Sequence, residues 1–326
     1  MFKKGKNYFT LAIMILWCFN SFSQEESIYE NYYLNPFIIN PGATGAEYYT
    51  VAGLSYKKQW LGIPDSPTTL LLSGNSLLGK YDFYDPKGFL NKGPLKIADR
   101  IGVGAAIYRD NNGPLANTGI ILSYAYQVII NADSKLAFGL SGIGTNYSLN
   151  SSELKPDQIN DPYLLTGNDN IFRANINLGA YYFTGDYYLG ISGNKILPDI
   201  SNVNTQVRAQ PSYYLIGGYK FMKSNNSFNF EPSIVLKKIS NEHLSFDIHT
   251  KMYVKRINWV ALSYSSLRKI NFQFGIHLYK MVYAGYNYEY TLSDIASYNL
   301  GTQEIYLGIN LGLFGIEGIR KSSNFD

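Results

Sequence analysis

The stretch Ser245-Phe246-Asp247-Ile248-His249-Thr250-Lys251-Met252-Tyr253-Val254-Lys255 changes character at every step. Its even positions hold Phe246, Ile248, Thr250, Met252 and Val254; its odd positions hold Ser245, Asp247, His249, Lys251, Tyr253 and Lys255. Successive side chains of a β-strand point to opposite faces, so this segment reads as a strand with one apolar and one polar face. The pattern recurs along the chain. In 171–182, Phe172, Ala174, Ile176, Leu178 and Ala180 alternate with Arg173, Asn175, Asn177 and Gly179. Phe272, Phe274, Ile276 and Leu278 alternate with Asn271, Gln273, Gly275 and His277, and Ile305, Leu307, Ile309, Leu311 and Leu313 with Glu304, Tyr306, Gly308, Asn310 and Gly312. Each apolar face is about 9–11 residues long, the length a tilted strand needs to cross a bilayer. Read this way, the sequence predicts fourteen strands, near 50–58, 67–77, 99–109, 117–130, 135–147, 171–183, 187–195, 212–222, 227–237, 245–254, 257–265, 271–279, 281–290 and 303–314.

The predicted fold is all-β: a transmembrane antiparallel up-and-down β-barrel of about fourteen strands over 50–314. An N-terminal extended segment (24–49) precedes it and a C-terminal tail (315–326) follows. The even strand number is what a single-chain bacterial barrel requires. A β-sandwich also alternates, but the strand lengths, the thirty tyrosines and the 16% charged residues favour the barrel. With both barrel termini in the periplasm, connections after even strands should be short, as at Asn131–Ser134, Thr184–Asp186, Lys223–Asn226 and Lys255–Arg256. The long ones, 148–170, 196–211 and 291–302, follow odd strands. Residues 78–98 break the rule, long where a short turn is expected. The aromatic residues Tyr81, Phe83 and Tyr84 in that connection are candidate anchors for a docked partner.

Residues 1–23 read as a secretory signal: Lys3, Lys4 and Lys6, an apolar Leu11–Phe19, then Ser21 and Ser23 before a cleavage at Gln24. Cys18 follows Trp17, which is unlike the small residue that precedes a lipidated cysteine. Without this segment the chain carries 25 basic against 24 acidic residues and no cysteine. No nucleic-acid partner follows from that balance, and no disulfide or thiolate chemistry is possible. Thirty glycines on strands suit close packing against a crowded inner wall, and tyrosine suits the membrane interface.

Two motifs stand at the start of the mature chain. The first is Asn35-Pro36-Phe37-Ile38-Ile39-Asn40-Pro41-Gly42-Ala43-Thr44-Gly45; the second is Lys58-Gln59-Trp60-Leu61-Gly62-Ile63-Pro64-Asp65-Ser66-Pro67-Thr68-Thr69. Each proline fixes its own φ and biases the residue before it towards extended backbone. The first motif should therefore be rigid and non-helical, lodged against the barrel's periplasmic end or inside its lumen. Gln59–Asp65 should cap the first hairpin, with Trp60 as an interfacial anchor. Together the motifs resemble the N-terminal signature of the PorP/SprF family of type IX secretion membrane proteins, with Gly42 and Lys58 standing where the family often has alanine and arginine. Asn112-Gly113-Pro114-Leu115 with Ser123-Tyr124-Ala125-Tyr126, Tyr188-Leu189-Gly190-Ile191-Ser192, Tyr286–Ser293 and Gly301-Thr302-Gln303-Glu304-Ile305 extend the similarity, Gln303 replacing a commoner histidine.

The resemblance implies a non-enzymatic outer-membrane component of the secretion and gliding apparatus, with no cofactor. It would be a scaffold or anchor whose partners, besides outer-membrane lipid, are a periplasmic ring or translocon or the C-terminal domain of a secreted adhesin. A passive pore for small solutes is the alternative. Asn35, Pro36, Asn40, Pro41, Gly45, Gln59, Trp60, Gly62, Pro67 and Thr68 either shape loops or touch a partner. Catalytic signatures are sparse. Of His243, His249 and His277, only His249 has a carboxylate on its own strand face, Asp247, and lumen-facing polar residues give the same pattern. No Gly-x-Ser-x-Gly, His-Glu-x-x-His or P-loop is present, and Asp157–Asp161 lacks the glycine and distal glutamate of a calcium loop. On the alternation alone, Gly308 should tolerate arginine far better than Ile309 does.

Overall fold

The computed structural model describes residues 32–47, 50–78, 100–131, 133–150, 170–197, 210–221, 228–240, 242–254, 258–279 and 281–311. Within them fourteen antiparallel strands close into one barrel. They are β1 Thr50–Lys58, β2 Thr68–Leu77, β3 Ile101–Asn112, β4 Leu115–Ile129, β5 Ser134–Leu149, β6 Asn170–Thr184 and β7 Tyr187–Asn194. The second half comprises β8 Ser212–Tyr219, β9 Phe228–Ile239, β10 Ser245–Val254, β11 Asn258–Ser265, β12 Lys269–His277, β13 Val282–Thr291 and β14 Thr302–Leu311. Each strand pairs with its neighbours in sequence, and β1 pairs with β14 from Thr50↔Leu311 to Lys58↔Gln303. No sheet edge is left, so every strand can satisfy its backbone groups in lipid.

The predicted alternation decides which face is which. On β14, Ile305, Leu307 and Ile309 point outward and are exposed, whereas Glu304, Tyr306 and Asn310 are buried inside. Phe272, Phe274 and Ile276 of β12, and Phe172 and Leu178 of β6, also lie on the outer face. Lys57, Lys135, Gln127 and Asn177 are all at most 1% exposed, so the polar faces line the interior. A soluble sandwich buries the opposite face of each strand; an apolar outside around a polar inside is a membrane barrel.

Thr50 lies opposite Leu311, so both ends of the barrel share one rim, called here the terminal end. Odd strands run from it to the opposite loop end and even strands return. The β6–β7 turn at the terminal end spans only Gly185 and Asp186, while 59–67 and 292–301 cross the loop end. The long β2–β3 connection does fall on the terminal end. Its residues 79–99, with Tyr81, Phe83 and Tyr84, lie outside the described residues, as do the leader, the Asp157–Asp161 segment and the tail.

The apolar core is not between layers but inside the barrel, around the N-terminal segment. Phe37, Ile38, Ile39 and Ala43 cluster with Leu71, Ala106, Tyr108, Ile121, Tyr181 and Val235 of the inner wall. This segment differs from the extended, non-helical chain expected. Pro36–Ile39 makes one helical turn, α1, and Pro41–Ala43 a 3-10 turn. The reason is local. Proline is preorganised for the first position of a helical turn, where its missing N–H costs nothing. The extended bias falls instead on the residues before each proline: Asn35 and Asn40 both have φ −135°.

Candidate functional site

The first motif descends through the lumen, and nearly all its polar groups are engaged by the wall. Tyr33, its uppermost described anchor, stacks on His249 of β10 with centroids 5.5 Å apart. Its hydroxyl accepts from Asn287 Nδ2 of β13 at 3.2 Å. Asn35 Oδ1 accepts from Ser73 Oγ of β2 at 2.8 Å. The Ile39 carbonyl accepts from Ser192 Oγ of β7 at 2.6 Å. Asn40 is 1% exposed; its Nδ2 donates to the Ala180 and Ile191 carbonyls at 3.1 and 3.4 Å. Its Oδ1 accepts from the Gly42 N–H at 2.9 Å. Thr44 Oγ1 lies 2.7 Å from Ser123 Oγ of β4. Gly45, with φ +70°, donates its N–H to Asn75 Oδ1 at 3.1 Å, and its carbonyl accepts from Gln127 Nε2 at 3.0 Å. Lys135 Nζ in turn donates to Gln127 Oε1 at 3.2 Å and fixes that amide's orientation.

Such an approach of backbone to wall needs glycine on the wall. A Cβ on Gly102 of β3 would sit 2.0 Å from the Thr44 carbonyl oxygen, and one on Gly139 of β5 2.1 Å from the Pro41 carbonyl carbon. On Gly179 of β6 it would sit 2.1 Å from Asn40 Oδ1, and on Gly190 of β7 2.5 Å from Asn40 Nδ2. Any side chain at these four positions would lift the segment off its seat.

The other half of the lumen is filled by aromatic rings laid over glycines in the directly paired position. Gly275 faces Trp259, Gly285 faces Tyr306, and Gly308 faces Tyr283. Trp259 and Tyr306 stack at 6.2 Å, Tyr283 meets Tyr306 edge-on at 5.9 Å, and Lys251 Nζ lies 4.4 Å above the Trp259 ring. This corrects the expectation for Gly308. It does face inward, but a Cβ there would lie 2.0 Å from the Tyr283 ring, so arginine would dislodge the cluster rather than enter open water.

The second motif sits at the opposite end. The Gln59 N–H donates to the Pro67 carbonyl at 2.9 Å and closes the first hairpin. Trp60 adopts a left-handed φ of 47°, and its N–H points to Thr302 Oγ1 at 3.4 Å. Leu61 exchanges backbone bonds with Gly301 and Leu300, at 2.8 and 2.7 Å. Gly62, at φ +101°, approaches the Leu300 side chain, Pro67 is buried and Thr68 starts β2. The β1–β2 and β13–β14 connections thus clasp each other across the closing seam of the barrel.

A sequence match over residues 21–309 reaches the profile described as "Type IX secretion system membrane protein PorP/SprF". The chain belongs to the PorP/SprF family. It is a component of a type IX secretion apparatus and resides in the outer membrane. Among solved structures it is similar to the Acinetobacter baumannii outer membrane protein Omp33, with 9% identity over 81% of this chain and 97% of that one, TM-score 0.46. It is also similar to the CymD monoaromatic hydrocarbon channel, with 12% identity over 86% and 92%, TM-score 0.49. No functionally curated protein matches.

The structure therefore separates the PorP/SprF motif residues. Asn35, Pro36, Asn40, Pro41 and Gly45 converge in the lumen, while Gln59, Trp60, Gly62, Pro67 and Thr68 form the clasp at the loop end. Ser73, Ser123, Gln127, Lys135, Ser192 and the four seat glycines were not singled out from sequence. Each lies on the polar face of a strand whose phase was legible, but the segment that would meet it was not. Among the described residues no group of histidines and carboxylates could hold a metal ion. His249 packs on Tyr33, which fits a wall contact; nothing positive points to catalysis.

Proposed function

We propose that this PorP/SprF barrel serves the type IX apparatus as a non-conducting scaffold or anchor. Its partners would be a periplasmic ring or translocon, or the C-terminal domain of a secreted adhesin. One observation carries the reading: the terminal-end half of the lumen is occupied on one side by the Asn35–Gly45 segment and on the other by the Trp259–Tyr306–Tyr283 cluster. A solute pore needs an open polar path along the same route. Here the terminal end faces the periplasm, following the rule that short turns and barrel termini lie there, and the chain is exported with a leader cleaved before Gln24.

The test has two readouts. Purified protein in planar bilayers should show little steady conductance, and an affinity pull-down from mildly solubilised outer membrane should recover a secretion or gliding component. Large, stable, ion-selective channels would sink the scaffold reading in favour of the pore.

A further inference from the structure

The direction in which the N-terminal segment runs has a consequence for everything upstream of it. Its contacts move steadily along the axis: Gly45 and Thr44 lie against Gly102 and Asn75 near the terminal end, Asn35 against Ser73 at mid-height, Tyr33 against His249 and Asn287. Tyr32 and Tyr33 then form the floor of a cavity on the loop-end side, walled by Lys57, Lys237, Lys269, Asp247 and Glu289. Every one of those five wall residues sits in the loop-end half of its strand. Below this floor, the described part of the lumen is filled on both sides, by the seated segment and by the aromatic cluster. The way left open from Tyr32 leads outward.

The chemistry of the cavity matches the chain that must enter it. Three ammonium groups face two carboxylates, of which Glu289 is held by Lys269 at 3.5 Å. The residues immediately upstream of Tyr32 are Gln24-Glu25-Glu26-Ser27-Ile28-Tyr29-Glu30-Asn31, with three carboxylates and no lysine or arginine. Fully extended, eight residues span about 26–29 Å, more than enough to reach the loop-end rim from mid-barrel.

We propose that this vestibule is a binding site for an acidic peptide, and that its occupant is the chain's own segment 24–31, which passes through it and brings the mature N-terminus to the extracellular side. Tyr32 and Tyr33 are then the hinge between a buried seat below and an acidic strap above. The inference rests on the path of the segment and is independent of whether the barrel acts as scaffold.

Site-directed labelling tests it on intact cells, because the mature chain has no cysteine of its own. Three single-cysteine variants are treated with a membrane-impermeant maleimide before and after outer-membrane permeabilisation: Ser27→Cys, Asp294→Cys in the β13–β14 connection, and Asp186→Cys in the β6–β7 turn. Ser27→Cys should label without permeabilisation, as Asp294→Cys does. Labelling only after permeabilisation, alongside Asp186→Cys, would overturn the proposal, and the two reference positions keep it testable whichever way the barrel points. A second arm adds Glu25→Gln, Glu26→Gln and Glu30→Gln to Ser27→Cys, outside the barrel and so without a folding penalty. Relative to the heat-unfolded chain, labelling of the folded protein should quicken about fivefold as the ion pairs are lost. An unchanged ratio would show that charge does not hold the strap and would remove the acidic-peptide site.

Discussion

At the residue scale, Asn40 does three jobs with one amide. It bonds two strands of the wall through its nitrogen and shapes the Pro41 turn through its oxygen. Asn40→Ala leaves the Ala180 and Ile191 carbonyls and the Gly42 N–H short of a partner in a site without room for water. The expected loss is about 1–3 kcal/mol, read as a lower urea midpoint for the folded barrel. Glycine substitutions attack the same seat from the other side. Gly139→Leu places its first side-chain carbon where the Pro41 carbonyl now lies. The barrel should still form, shown by its heat-modifiable migration, but with the segment unseated and steady conductance in a planar bilayer. Conductance as low as the parent's would mean the segment finds another seat. The motif itself was plain in the sequence, because two Asn-Pro pairs in six residues have few other uses. Its turns were not, since proline favours the start of a helical turn as well as extended chain, and only the packing of Phe37, Ile38 and Ile39 against the wall selects between them.

At the scale of strands, the period-two pattern gave up almost everything. Strands β1, β7 and β10 begin where alternation places them, and β6 faces lipid with Phe172 and Leu178 and the lumen with Arg173, Asn175 and Asn177. Alternation assigns faces because the membrane leaves no third option for a side chain; it does not say what stands across the lumen. That is why Gly308 read as tolerant and is instead the floor beneath Tyr283. A better pair for testing the faces is Ile309→Arg and Asn271→Arg. Ile309 is 41% exposed on the outer band and Asn271 borders the vestibule. Arginine at the outer site should cost about 2–4 kcal/mol and at Asn271 well under 1 kcal/mol. Equal losses of heat-stable barrel would mean that the faces are reversed. The clasp between Leu61 and Gly301 was half legible: both stretches were noted as family-like, but their partnership depends on β1 meeting β14, which no local pattern records.

At the scale of the molecule, deleting residues 32–47 should convert a silent barrel into one with partial conductance, because the aromatic cluster on the β10–β14 side remains. Removing that cluster as well, with Trp259→Ala and Tyr306→Ala, should raise single-channel current further. If the deletion alone gave no current, the cluster would be the sufficient seal. The seated segment also sets an order of events for building the protein. Asn40 finds its carbonyl acceptors 140 and 151 residues further along the chain, so the part that leaves the ribosome early cannot settle until β6 and β7 stand side by side. Closing so long a loop is slow, and until it happens Phe37, Ile38 and Ile39 stay in view of periplasmic chaperones and proteases. A barrel whose middle strands have slipped by one residue turns Gly139 and Gly179 outward and never withdraws that flag, so the apolar tripeptide marks unfinished copies for disposal.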